Sequence, residues 1–240
     1  MRFGDQIREV KPLSFIYTVE RALAPDVCRE AIRRFEASAE QQIAGRIGQA
    51  AEAVPEVKRS TDLRISGRED WRDIDQTLSR QLVATFNLFA GEFPFFAANA
   101  FKDIGYNLQR TLPGEYYHWH VDAGPGAFSD RQLVAIWYLN DVPGPGGETE
   151  FPLQGVSIRP AQGTLLLFPP FWTHVHRGVT LETGVKYIAM SLQRCSIAVW
   201  PCSDRLPFIQ RVQVFQVPLG WSWSRNLRIL GCIMHYHAQL

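Results

Sequence analysis

The sequence predicts a mainly β protein, a jelly-roll sandwich of short strands preceded by N-terminal helices, and three observations lead there. From residue 104 onward, short runs rich in β-branched and aromatic residues (IGYNLQR, YYHWHVD, QLVAIWYL, ETEF, VSIR, GTLLLF and VKYIAMSLQ) are separated by Gly and Pro. Many short strands joined by such turns belong to sandwiches and barrels. Two segments ahead of them carry the 3.6-residue spacing of amphipathic helices instead. At 240 residues the chain can bury one substantial core, and nothing in its composition forces two domains.

The first helix lies in APDVCREAIRRFEAS, where Cys28, Ala31, Ile32 and Phe35 fall on one face behind a Pro-Asp start signal. A small-residue stretch around residues 44–53 reads as a mobile helix or a loop, and KRSTDLRIS as a candidate strand. Trp71, Ile74, Leu78, Leu82, Phe86 and Phe89 then mark one face of a longer helix. The predicted organisation is a helical support region over 1–103, a β core over 104–194 and an extension of unknown role over 195–240. That extension holds Cys195, Cys202 and Cys232, three of the four cysteines, and shows no sustained period.

Charge excludes some partners. Lys+Arg is 25 against Asp+Glu 24, a formal net charge of +1, so no global field favours nucleic acid or an anionic membrane. MRFGDQIREV has charges where a signal peptide has its apolar centre, and runs such as LLLF are too short to span a bilayer. Without a CxxC pair the four cysteines read as reduced thiols. The expectation is a soluble, cytoplasmic protein.

Chemistry concentrates in two histidine pairs. On a strand, residues i and i+2 share a face, so His120 and Asp122 of YYHWHVD can converge on one ion. His176, at the end of GTLLLFPPFWTHVH, is the candidate third ligand. Two histidines and one carboxylate with open positions are the arrangement of non-haem Fe(II) oxygenases. Ten residues on, beyond a Thr183-Gly184 turn, stands Lys186. VKYIAMSLQ is expected to return as a strand beside the one ending at His176, with the lysine pointing into the same cavity. A buried lysine there calls for an anion, and a dicarboxylate such as 2-oxoglutarate suits it. His118 and His174 share strand parity with the ligands but read as neighbours of the site, and His235 and His237 carry little metal weight.

These residues resemble the Fe(II)- and 2-oxoglutarate-dependent dioxygenases, in particular the prolyl 4-hydroxylase-like group. GEYYHWHVD (114–122), GGETEFP (146–152) and GTLLLFPPFWTHVHRGVTLETGVKYIA (163–189) are similar to that family's HxD motif, its Gly-Gly-acidic turn, and its distal histidine followed by a lysine. The resemblance implies a double-stranded β-helix of the jelly-roll type. It implies His120, Asp122 and His176 as iron ligands, and Lys186 on the distal carboxylate of 2-oxoglutarate. Tyr117 stands at a pocket-tyrosine position, and Thr111 where relatives carry a tyrosine that bonds the cosubstrate. Fe(II), 2-oxoglutarate and O2 follow as cofactor and cosubstrates, with ascorbate as a reductant. The implied reaction is decarboxylation of 2-oxoglutarate to succinate coupled to hydroxylation of a C–H bond in a peptide, protein or small amino-acid-like substrate. Leu192 stands where prolyl hydroxylases commonly have tryptophan, which leaves proline open as the target.

Two other classes were weighed. A cupin commonly uses HxH with a nearby glutamate, which HWHVDAGPG lacks, and a non-catalytic metal-binding module has no need of open coordination positions. Trp119, Trp137, Tyr138, Phe171 and Trp172 read as core before groove, Arg131 and Arg177 as solvated before holding a substrate carboxylate, and AGPGAFSDRQ as a turn or a lid. No membrane or nucleic-acid partner is expected, and oligomeric state is left open.

Overall fold

The structure, a computed structural model, describes residues 7–93, 96 and 100–196. In chain order these form β1 (Ile7–Glu9), β2 (Tyr17–Val19), helix α1 (Pro25–Ala37), β3 (Ile43–Ala44), β4 (Thr61–Arg64), helix α2 (Arg72–Glu92) and β5 (Ala100–Asp103). Then follow β6 (Asn107–Thr111), β7 (Tyr117–His120), β8 (Arg131–Tyr138), β9 (Thr149–Phe151), β10 (Val156–Ile158), β11 (Leu165–Phe168), β12 (His176–Gly178) and β13 (Lys186–Ser196). The larger sheet runs β1-β2-β11-β8-β13-β6-β4-β3, with β5 also on β13, and the smaller runs β10-β9-β12-β7. All the pairs are antiparallel.

Alternation along β8 explains why the apolar runs are unbroken. Ala135 and Trp137 face the helices, in one cluster with Cys28, Phe35, Leu78 and Leu82. Val134, Ile136 and Tyr138 face the smaller sheet, in a second cluster with Phe151, Val156 and Ile158. The LLLF of β11 divides the same way, Leu165 and Leu167 to the helices, Leu166 and Phe168 to the other sheet. A strand covered on both faces has no polar side to show.

The helices form where their patterns predict. Proline in the first turn suits the start of α1, where its missing N–H has no partner to lose. Cys28, Ala31 and Phe35 are buried on one helix, and Ile74, Leu78, Leu82 and Phe89 on the other. Arg34 joins the two through paired 2.8 Å bonds to both oxygens of Asp73.

The region before residue 104 is less purely helical than expected. It adds β1 to β5 to the larger sheet, and position 103 falls inside one compact unit. Strands of two or three residues cannot display a period, which is why β1, β2 and β3 gave no signal, whereas β4 lies inside KRSTDLRIS. Apart from the β13 backbone at 195 and 196, the expected extension over 195–240 lies outside the described residues, with Cys202, Cys232, His235 and His237. No described helix is long and apolar enough to cross a membrane.

Candidate active site

The smaller sheet brings the two histidine segments together. β7 and β12 are antiparallel neighbours with His120 directly opposite His176, and a bulge follows between His176 and Gly178. Asp122 sits just past β7, where its backbone N–H and that of Ala123 both donate to the Pro170 carbonyl, at 3.1 and 2.9 Å. His120, Asp122 and His176 thereby each offer a ligand atom within 4.8 Å of the others. The Nε2 of His120 lies 3.9 Å from one Asp122 oxygen, and that of His176 lies 3.5 Å from the other.

The protons on these rings are placed by the backbone. His120 Nδ1 donates to the His118 carbonyl at 2.7 Å, and His176 Nδ1 to the His174 carbonyl at 3.0 Å. A carbonyl only accepts, so each Nδ1 carries a hydrogen, and Nε2 is the ring nitrogen that faces Asp122. Burial, and then the neighbouring His176, lower the His120 pKa to about 4, so the ring is neutral near pH 7. Burial alone would raise the Asp122 carboxyl. The close approach of His176, and the charges of His120, His176 and Arg131, outweigh it and hold the group below the usual carboxylate range. Two imidazoles and one carboxylate that face one another form a donor set that fits Fe(II) with open positions.

Around the triad, Tyr117 stacks on His120 with ring centroids 3.5 Å apart, and Phe168 meets His176 edge-on at 4.7 Å. Burial, then the Asp122 charge, push the Tyr117 hydroxyl pKa upward, so it stays protonated. A cavity of about 350 Å³ opens on the triad between Tyr117, Phe128, Arg131, Met190, Leu192 and the segment 46–48.

Lys186 is buried, but not on a strand beside His176. β13 pairs with β6 and β8 in the larger sheet, so the lysine faces the histidine strand across the interior rather than along one sheet. The Thr183-Gly184 turn suggests a simple hairpin, whereas the chain instead passes from one sheet to the other. Thr111 is the residue directly opposite Lys186, also buried, so the two expected cosubstrate contacts are neighbours on one face. Lys186 Nζ donates to the Gly147 carbonyl at 2.7 Å, and burial lowers its pKa to about 8, with Glu148 partly opposing. The Gly-Gly turn has a steric reason: Gly146 has φ +82°, and a Cβ there would sit 2.0 Å from the Thr180 carbonyl oxygen.

The remaining candidates separate cleanly. His174 is a satisfied core histidine, with Nε2 on the Ser14 carbonyl and Nδ1 on Thr173, both at 2.9 Å. His118 is exposed and packs on Tyr116. Trp137 and Tyr138 are core, whereas Trp119 and Trp172 are exposed. Arg177 lies over Trp119 and pairs with Glu150. Arg131 is not simply solvated: it is half-buried, stacks over Phe128 at 3.5 Å, and donates from Nη1 to the Asp122 carbonyl at 2.7 Å. Sequence reasoning missed Lys58, which is buried against Asp62 at 2.9 Å and lies over the Tyr117 ring. Its signal was the Lys58 and Asp62 spacing in KRSTD, which on an exposed segment means nothing.

The family model described as the 2OG-Fe(II) oxygenase superfamily matches residues 106–201. That match covers 96 of the 240 residues, and the stretch is similar to a 2OG-Fe(II) oxygenase domain. The cofactors of this oxygenase are accordingly Fe(II), 2-oxoglutarate and O2. Its fold is that of several solved prolyl hydroxylases. The viral collagen prolyl hydroxylase of Paramecium Bursaria Chlorella virus-1, solved as a 2OG complex, has 18% identity and a TM-score of 0.58 over 78% of this chain and 99% of that one. The Trichoplax adhaerens prolyl hydroxylase, solved with a hypoxia inducible factor peptide fragment, has 16% identity and a TM-score of 0.65 over 76% and 84%. A Pseudomonas putida prolyl-4-hydroxylase has 19% identity and a TM-score of 0.56 over 75% and 92%. No curated protein matches the sequence.

Proposed function

We propose that the oxygenase hydroxylates a C–H bond of a peptide, a protein side chain or a small amino-acid-like substrate, with His120, Asp122 and His176 holding Fe(II). The observation that carries this reading is the triad itself, two Nε2 atoms and a carboxylate converging with both Nδ1 hydrogens already bonded to backbone. Fe(II), when bound there with 2-oxoglutarate and O2, supplies the oxidising chemistry that forms succinate and CO2 and places one oxygen atom on the substrate.

This chain's residues do the rest. The backbone carbonyls of His118 and His174 hold the imidazoles in one tautomer and one orientation, so ligand geometry is set before the metal arrives. Lys186 takes the distal carboxylate of 2-oxoglutarate, exchanging a carbonyl acceptor for an anion in a buried site where charge pairing is strong. Thr111, directly opposite on β6, adds a hydroxyl at that end. Tyr117 covers one face of His120 and limits water at the metal. The peptide in the Trichoplax neighbour supports a peptide among the substrate classes, and ascorbate would serve to return iron to Fe(II) after turnover without substrate.

The test needs no known substrate. Protein purified without oxygen and given Fe(II) and 2-oxoglutarate is expected to form succinate when oxygen is admitted, and His176→Ala and Lys186→Ala are expected to lose it. A well-folded, iron-loaded protein that forms no succinate and shows no spectral change with 2-oxoglutarate would overturn the reading.

A further inference from the structure

The Tyr117 ring lies against the ligand His120 with centroids 3.5 Å apart, and two features of the chain hold that ring in place. The first is backbone pairing. Arg59 N–H donates to the Tyr116 carbonyl at 2.8 Å and His118 N–H to the Val57 carbonyl at 2.9 Å, which sets Lys58 directly opposite Tyr117. The segment 57–59 thus runs along the edge of β7 that β12 leaves open. Bonds that flank a pair and skip it define the non-hydrogen-bonded antiparallel pair, in which facing side chains stand closest.

The second feature is charge. Lys58 Nζ lies 5.3 Å from the centre of the Tyr117 ring and 2.9 Å from Asp62. Both oxygens of that carboxylate are occupied, one by Ser60 and the other by Lys58 and Asn107. Gly45 leaves the slot open: a Cβ there would strike Ser60 Oγ and come within 2.9 Å of Lys58 Cε. The cluster takes no ligand of its own. As a source of stability it is poorly chosen, because apolar residues of the same volume commonly do as well as a buried ion pair. What an ammonium pinned by a fixed carboxylate adds is direction, an attraction for the face of one particular ring.

We infer that Lys58 is a positioning residue for the metal site: held by Asp62, it keeps the Tyr117 ring on His120 and so narrows the orientations open to that imidazole. In this role it acts through Tyr117 and needs no contact with metal, cosubstrate or substrate. The inference rests on the oxygenase reading in taking His120 as a ligand, and adds to it what steadies that ligand from the side.

The experiment compares the full chain with Lys58→Met/Asp62→Asn, which removes both charges together, and with Tyr117→Leu, which removes the ring. A ring stacked on an imidazole shifts the carbon-bound imidazole protons upfield, so NMR of the metal-free protein reads the contact without turnover. Tyr117→Leu gives the full size of that shift at His120, and the double variant is expected to lose most of it. Mn(II) affinity of the double variant is expected to fall about three- to tenfold, below the ten- to a hundredfold typical of losing a direct outer partner. In substrate-free turnover, kcat for succinate is expected to fall while KM for 2-oxoglutarate stays unchanged, since Lys186 and Thr111 are untouched. Lys58→Arg keeps a cation over the ring and is expected to recover most of these losses. Denaturant unfolding of each variant separates positioning from loss of fold. Where the double variant is destabilised, Lys58→Gln, which keeps a donor for Asp62 and no charge over the ring, carries the same comparison. Unchanged His120 protons and Mn(II) affinity in the variants that fold, or an equal loss in Lys58→Arg, overturns the inference and leaves the oxygenase reading intact. No succinate from the wild type, with the NMR difference present, overturns the oxygenase reading and leaves the contact from Lys58 through Tyr117 to His120 standing.

Discussion

Lys58 and Lys186 are both buried ammonium groups beside one site, and the chain treats them differently. Lys58 meets Asp62 at 2.9 Å, and that carboxylate also accepts from Ser60 at 2.7 Å and Asn107 at 3.2 Å. Lys186 donates to the Gly147 carbonyl at 2.7 Å, lies 5.8 Å over the Tyr138 ring, and has no ion pair among the described residues. A charge removed from water needs a counter-charge or it shifts toward its neutral form. The first cluster is complete without a ligand, and so is structural. The second is incomplete, as is the triad, and incompleteness in a buried place marks where a ligand belongs.

The largest effect that tests this contrast comes from the triad. His176→Ala or Asp122→Ala is expected to reduce metal affinity by more than about a hundredfold, the upper range for losing an outer partner alone, and turnover to background; metal titration and succinate formation measure both. Next comes the self-contained lysine. Asp62→Ala leaves Lys58 buried and unpaired and is expected to destabilise the fold by about 3–5 kcal/mol in denaturant unfolding, whereas Lys58→Met with Asp62→Asn is expected to recover most of that loss.

Lys186→Met is expected to act in the opposite sense. It should raise the stability of the ligand-free protein by on the order of 2 kcal/mol, since it removes a buried charge and strands only the Gly147 carbonyl, not a counter-charge, while abolishing 2-oxoglutarate binding. Loss of stability comparable to that of Asp62→Ala would break the contrast between the two lysines.

The pH dependence of Lys186 is a finer test. Its folded pKa of about 8 lies below the ordinary 10.5, so the unfolded chain binds more protons between those values. Stability from this group therefore rises with pH across that window, and below it the charged lysine carries its full penalty. Binding of the dicarboxylate needs the charged form, so its affinity is expected to fall above about pH 8, by at most about tenfold per pH unit. Calorimetry with Mn(II) across pH 7 to about 10 would show the fall in wild type; a flat profile there removes Lys186 as the contact. The smallest effect is Thr111→Val, expected to weaken 2-oxoglutarate by about 1 kcal/mol, one neutral hydrogen bond.

How much of this was readable depends on where the information lies. His120 and Asp122 were legible from the local HxD spacing, although β7 ends at His120 and Asp122 lies just past it. The helices were legible from apolar faces such as Ile74, Leu78 and Leu82. What the local pattern could not carry was partnership. Thr183 and Gly184 mark a turn, but nothing near them says that β12 and β13 go to different sheets. Lys58 carried no local signal because its surroundings include Tyr117, which is distant in sequence. The guanidinium of Arg131 is likewise oriented by Phe128 and by a backbone carbonyl, neither of which a composition reveals.

One feature has a bearing on how such a site persists through mutation. Both histidine rings are braced by carbonyl oxygens two residues earlier on their own chain segment, at His118 and His174. A peptide carbonyl is present whatever amino acid occupies the position. Replacing either of those residues changes a side chain and leaves the brace in place, so the aim of the rings is inherited with the backbone path. The brace makes no demand on the side chains at 118 and 174, although that of His174 is buried and bonds Thr173 and Ser14 on its own account.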